Sequence, residues 1–236
     1  MTGKKEKIVG ILGGMGPEAT VDLMQRIIQL TPALDDIDHI RCIVDNNPKI
    51  PSRIKAIIEG DGEDPGLCMA DMARRLESWG VDFLAIACNT AHYYYETVSN
   101  AVKIPVINLI DLVVSHLKQT SPDCSKIGIL ASPAVLMTGL YEKRFHAVGI
   151  EVVYPGPVFQ ERLFNVIKAI KTGDTSVEVV QTYKEICENL NSSGVDSVII
   201  ACTELSVISS DLPFEIIDSA EILAREIVDV AKMIKH

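Results

Sequence analysis

Positive charge is in short supply in this 236-residue sequence: 22 Lys and Arg stand against 32 Asp and Glu, a net charge of −10. That balance excludes nucleic acid and anionic membrane as expected partners. A small anionic substrate is compatible with it, because one or two local cations suffice to hold one. Long apolar runs are missing too, and no stretch approaches the roughly 20 residues of a membrane span. The charged start leads into Ile8-Val9-Gly10-Ile11-Leu12. This run is too short and too Gly-rich for a signal-peptide core, so no targeting segment is expected. Cysteine is sparse, with six residues scattered through apparent strands and helices. That excludes a disulfide scaffold and points to a reducing cytoplasm. Low-complexity stretches and long Pro- or Gly-rich linkers are also absent.

What is present is an alternation. Apolar, strand-like runs lie at 7–12, 40–45, 81–87, 105–108, 126–131, 149–153, 195–201 and 214–217. Helical periodicity lies at 19–30, 65–79, 91–102, 111–118, 134–148, 163–171, 177–191 and 220–235. Strands alternating with helices predict an α/β fold of parallel sheets with helices on both faces.

The most informative pattern is a repeat. Gly80-Val81-Asp82 opens a run that ends at Cys88, and Gly194-Val195-Asp196 opens one that ends at Cys202, at a constant offset of 114. Each run reads as a buried parallel strand presenting a thiol at its carboxyl end, where open α/β sheets bind ligands. Ile104-Pro105-Val106-Ile107-Asn108 can be set beside Leu212-Pro213-Phe214-Glu215-Ile216-Ile217-Asp218, with a gap. Two matched half-sites predict two thiols facing one substrate, a base on one face of a carbon and an acid on the other. The competing reading is a pair of buried packing cysteines. For Cys42, Cys68, Cys124 and Cys187 the packing reading stands.

The turns around these strands carry further polar groups. Gly13-Gly14-Met15-Gly16-Pro17-Glu18 runs from a strand into a helix. Its amides suit a carboxylate or phosphate, and a purely structural turn is the alternative. It also meets the permissive dinucleotide pattern, but the next acid at a strand end, Asp45, comes later than a ribose-binding acid sits. Asn89, Thr90 and Thr203 follow the two cysteines and offer donors at helix starts. Cys88 and His92 have a helical metal-ligand spacing with no third ligand in view, so no metal is expected. His92 is left with two readings, orienting the site or packing.

Four ordered motifs resemble the cofactor-independent aspartate/glutamate racemase superfamily, and its aspartate racemase branch above all. They are Gly13-Gly14-Met15-Gly16-Pro17, Asn47-Pro48-Lys49-Ile50-Pro51-Ser52-Arg53, Ala87-Cys88-Asn89-Thr90-Ala91-His92 and Ala201-Cys202-Thr203-Glu204-Leu205. The glutamate branch usually carries Asp-Ser-Gly in the first turn, which this chain does not. The resemblance implies two similar three-layer α/β domains, related by a pseudo-twofold axis, with the site in the cleft between them. The expected division is 1–111 plus 216–236, carrying Cys88, against 112–215, carrying Cys202. Cys88 and Cys202 become the catalytic pair. Met15, Asn89, Thr90, Ser132 and Thr203 become substrate contacts. Arg53 and Lys171, ordinary surface cations on sequence alone, become the holders of a distal carboxylate. One position departs: the family's Thr-x-Gly-Thr turn is here Ser132-Pro133-Ala134-Val135, so Ser132 supplies the first hydroxyl and Val135 cannot supply the second.

The activity so implied is racemisation of an acidic amino acid, L-aspartate to D-aspartate, by a cytoplasmic homodimer using no cofactor and no metal. Glutamate or a broader set of amino acids is the first alternative. Maleate isomerases, hydantoin racemases and decarboxylases of malonate derivatives share the scaffold, but the decarboxylases need only one of the two cysteines. A non-enzymatic sensor of an acidic amino acid is the reading from another class.

Overall fold

The structure is a computed structural model and describes residues 6–208, 214 and 216–234. Two parallel sheets organise it. In the first half, β1 (Val9–Gly13) lies between β2 (Cys42–Asn46) and β3 (Phe83–Ile86). In the second, β4 (Lys126–Ala131) lies between β5 (Glu151–Val153) and β6 (Ser197–Ala201), and β7 (Ile216–Asp218) extends the sheet beyond β6. Every pairing is parallel. Where the first half would carry its own β7 there is a single parallel bridge, Leu84 to Val106. The same register recurs in the second half, where Val198, the repeat partner of Leu84, pairs with Ile216.

The repeated Gly-Val-Asp has a physical account. Gly80 and Gly194 stand at φ +83° and +73°, where glycine is favoured, and turn the chain out of the helices α2 (Pro65–Ser78) and α8 (Val177–Asn191). The aspartate that follows ties the next strand to its neighbour. Asp82 accepts the N–H of Ile8 at 2.7 Å, and Asp196 accepts those of Ser125 and Lys126 at 2.8 and 2.9 Å. The motif therefore sets strand register twice, and so aims both Cys-bearing strand ends.

Alternate residues of each strand serve different cores, as a period of two requires. Val9, Ile11, Phe83, Ile127, Ile129 and Ile199 point to a central core, which both halves share. It is completed by α1 (Pro17–Leu30), α4 (Leu109–Thr120) and α10 (Ser219–Lys232) through Leu23, Ile27, Val113, Leu117, Leu223 and Ile227. On the far face of the first sheet, Leu12, Leu84 and Ile86 pack against Met69, Met72 and Leu76 of α2. On that of the second, Leu130, Val198 and Ile200 pack against α8 and α7 (Pro157–Lys171). Each sheet is thus covered on both faces, the three-layer arrangement expected. Truncating any of these Leu or Ile side chains to Ala costs about 2–5 kcal/mol. Two of these helices, α4 and α10, are capped alike: Asn108 accepts the N–H of Ile110, and Asp218 that of Ala220.

The fold differs from the sequence reading in several places. The stretch 216–236, placed with the first half, is divided: its strand pairs with β6 in the second sheet, while α10 packs on α1. The helix expected at 91–102 is a 3-10 turn, Thr90–Tyr94, followed by the short α3 (Tyr95–Ser99). The helix expected at 134–148 breaks into α5 (Pro133–Thr138) and α6 (Leu140–His146). Gly139 stands at φ +60° there, and the Thr138 hydroxyl donates to the Ala134 and Val135 carbonyls. The strand at 105–108 is reduced to its bridge, because Pro105 has no N–H for a ladder. A π-helical turn at Lys55–Glu59 had no sequence signal. Leu212, Pro213 and Glu215 of the mirrored segment, and Lys235 of the last helix, lie outside the described residues. No helix among the described residues is long and apolar enough to cross a membrane.

Candidate active site

The carboxyl ends of the two sheets face a common cavity of about 270 Å³. β3 delivers Cys88 to it and β6 delivers Cys202, each 5% exposed. Met15 reaches it from the Gly-rich turn, Arg53 from the loop after β2, Thr90 from the 3-10 turn, Ser132 from the start of α5 and Lys171 from the end of α7. Thr90 and Ser132 meet across the two halves, hydroxyl to hydroxyl at 2.9 Å. Phe164 and Ile167 of α7 give the cavity an apolar wall.

The Gly-rich turn is shaped by its own helix. Thr20 accepts the Gly14 N–H at 2.9 Å and donates to the Gly16 carbonyl at 3.1 Å. Gly14 has φ +88°, and a Cβ there would lie 2.2 Å from the Asn47 backbone. The glycines thus bring this turn against the loop that carries Arg53. Arg53 completes the contact, donating to the carbonyls of Met15 at 3.2 Å and Pro51 at 3.3 Å. The cavity falls at the small end of ligand pockets, below the size a dinucleotide fills.

Charge is distributed unevenly over the two thiols. Burial pushes the Cys88 thiol up, while Arg53, Lys171 and the Ala91 N–H oppose the shift and Glu204 adds to it. Burial pushes the Cys202 thiol up as well, the Glu204 carboxylate adds to it and Lys171 opposes it. The Cys202 thiol donates to Glu204 Oε2 at 3.2 Å. Glu204 Oε1 lies 2.8 Å from Lys171 Nζ, in an ion pair. Burial works against the Lys171 ammonium, but Glu204 outweighs it and holds the lysine above its usual range.

Residues 12–227 match the Asp/Glu/hydantoin racemase family. The chain belongs to that family. It is therefore an amino-acid racemase, an isomerase. A solved structure, Picrophilus torridus aspartate racemase, is 34% identical, covers 95% of this chain and 94% of its own, and superposes with a TM-score of 0.87. The broad specificity amino-acid racemase RacX of Bacillus subtilis (strain 168) is 29% identical over 94% of this chain and 96% of its own. A glutamate racemase of Persephonella marina is 30% identical over 65% of this chain and 60% of its own.

Of the residues singled out in this racemase by sequence, seven border the cavity: Met15, Arg53, Cys88, Thr90, Ser132, Lys171 and Cys202. Two do not. Asn89 is buried behind it, accepting from Tyr141 Oη at 2.6 Å and donating to Ser219 Oγ at 3.0 Å. Thr203 donates to the Ala87 carbonyl at 3.4 Å. Both tie the first half to the second beneath the cysteines. His92 resolves as a packing residue with an orienting effect. Its Nε2 accepts the Leu109 N–H at 3.0 Å, so its Nδ1 carries the proton and donates to the Cys88 carbonyl at 2.8 Å. Both ring nitrogens are engaged, which leaves none for a metal. Val135 is buried in the central core, so the departure from the family's turn falls on a packing position. Sequence reasoning gave no role to Glu204, which lines the cavity together with Lys55, Glu59 and Lys168. The signal for Glu204 in the sequence is its place in the 201–205 motif, beside the second cysteine.

Proposed function

We propose that this racemase interconverts L- and D-aspartate without a cofactor, using Cys88 and Cys202 as its two acid–base groups. The observation that carries the reading is the convergence of two thiols, from equivalent strand ends of two similar sheets, on one cavity that also holds Arg53 and Lys171. Arg53 and Lys171 take the side-chain carboxylate. The α-carboxylate lies by the Thr90 and Ser132 hydroxyls, which border the cavity. One thiolate removes the α-proton while the opposite thiol gives its proton to the other face. The α-proton is a very weak acid, so the carbanion needs fixed donors in a dry site.

A second reading, a broader set of amino acids, is supported by the apolar wall of Phe164 and Ile167 and by the likeness to a broad specificity racemase. One experiment separates the two. Protein dialysed against chelator and treated with a carbonyl reagent is incubated with L-aspartate, L-glutamate or L-alanine, and the products are resolved on a chiral column. Racemisation fastest on aspartate is expected. Comparable turnover of alanine selects the broader reading. Activity that returns only with pyridoxal phosphate or zinc contradicts both.

A further inference from the structure

The two cysteines occupy matched places but have unlike neighbours. Two residues beyond Cys88 stands Thr90, whose neutral hydroxyl pairs with Ser132. Two residues beyond Cys202 stands Glu204, in the first turn of α9 (Thr203–Val207) and only 5% exposed. One oxygen of that carboxylate receives the Cys202 thiol proton and the other faces the Lys171 ammonium. A buried carboxylate on one thiol of a pair, without a counterpart on the other, breaks the symmetry that the repeat builds.

We propose that Glu204 is a positioning residue that sets the order in which the pair ionises. It holds Cys202 as the thiol, so that Cys88 is the first to become thiolate and the first to act as base. The inference rests on the two-thiol reading above. Around Cys202 the charged and titratable groups are Glu204 on its own turn, Lys171 from α7, Cys88 from the other half, and the buried phenols Tyr141 of α6 and Tyr183 of α8. Lys171 is the cation of that set, and Glu204 already engages it. Around Cys88 they are Arg53, Lys171, Glu204 and Cys202, and the Ala91 N–H is directed to its sulfur. A negative charge in contact with a thiol disfavours the thiolate, whereas a guanidinium and a backbone N–H favour it.

The test is the pH dependence of alkylation by iodoacetamide on the free protein, read separately for Cys88 and Cys202 by peptide mass spectrometry. The midpoint of each profile reports ionisation and does not depend on access. In the wild type Cys88 should titrate at lower pH than Cys202. Glu204→Gln should lower the Cys202 midpoint by about one unit, a tenfold faster reaction below it, and move Cys88 less. Glu204→Asp, which keeps the carboxylate, should stay close to wild type. Lys171→Met, which removes the cation and leaves Glu204, should move the Cys202 midpoint upward. It carries the test if Glu204→Gln does not fold, because general loosening would lower both midpoints. Cys202 titrating first in the wild type, or an unmoved Cys202 midpoint in Glu204→Gln, overturns the proposal. No turnover enters the measurement, so a failed racemase assay sinks the functional reading without touching this result.

Discussion

The two halves of the molecule end their third strands alike and diverge within two residues. Both arrive through glycine, valine and an aspartate clamp, and both present a buried cysteine to the same cavity. After Cys88 the chain tightens into a 3-10 turn held by His92, which grips the Cys88 carbonyl on one side and the Leu109 N–H on the other. After Cys202 it enters α9, whose Glu204 reaches back to the thiol. The shared part brings two thiols to one cavity, and the unshared part gives them unlike neighbours, a buried carboxylate at Cys202 and a hydroxyl pair beside Cys88.

Removing either member of the pair should break the comparison outright. Cys88→Ser and Cys202→Ser should each lower racemisation by the factor of about 10²–10⁴ that general acid–base groups supply, in both directions, measured as kcat/KM by polarimetry. Next come the cations. Arg53→Ala and Lys171→Ala should each cost about 1.5–3 kcal/mol of substrate handling, roughly a 10- to 150-fold fall in kcat/KM for aspartate. Discrimination against alanine should fall with it, and wild-type kinetics in both variants would remove them from substrate binding. The smallest effect sharpens the comparison through stability. Burial holds His92 below its ordinary value of 6.5, and its ring is neutral in the fold. The unfolded chain therefore binds the extra proton, and stability should be full above about pH 6.5 and fall as the pH drops through and below it. His92→Leu should lower stability at pH 8 by about 1–3 kcal/mol, since it leaves a buried N–H and carbonyl unpaired. It should also flatten the fall below pH 6.5. Urea melts at the two pH values measure both.

Much of this was legible in the sequence because it rests on local chemistry. The strands are β-branched apolar runs punctuated by glycine, and the repeat marks their two equivalent ends. Arg53, Lys171 and Ser132 came from motif resemblance, and all three border the cavity. What stayed hidden depends on contacts between distant segments. Asn89 follows a cysteine and reads as a ligand, yet Tyr141 and Ser219 from the second half claim its amide. Glu204 sits in a family motif but draws no role from the sequence, because its partner Lys171 comes from α7. The π-helical turn at Lys55–Glu59 and the shrunken strand at Val106 answer to packing and to a single missing N–H, and neither has a hydrophobic period to betray it.

The central claim is that the two thiols act on opposite faces of one carbon, and α-proton exchange without inversion tests it most directly. Each single serine variant keeps one thiol and so one face. In deuterated water, Cys88→Ser and Cys202→Ser are each incubated with L-aspartate and with D-aspartate, and α-deuterium is followed by NMR. The account predicts that each variant labels one enantiomer without inverting it, and that the two variants label opposite enantiomers. Labelling of the same enantiomer by both, or full racemisation by either, would contradict it.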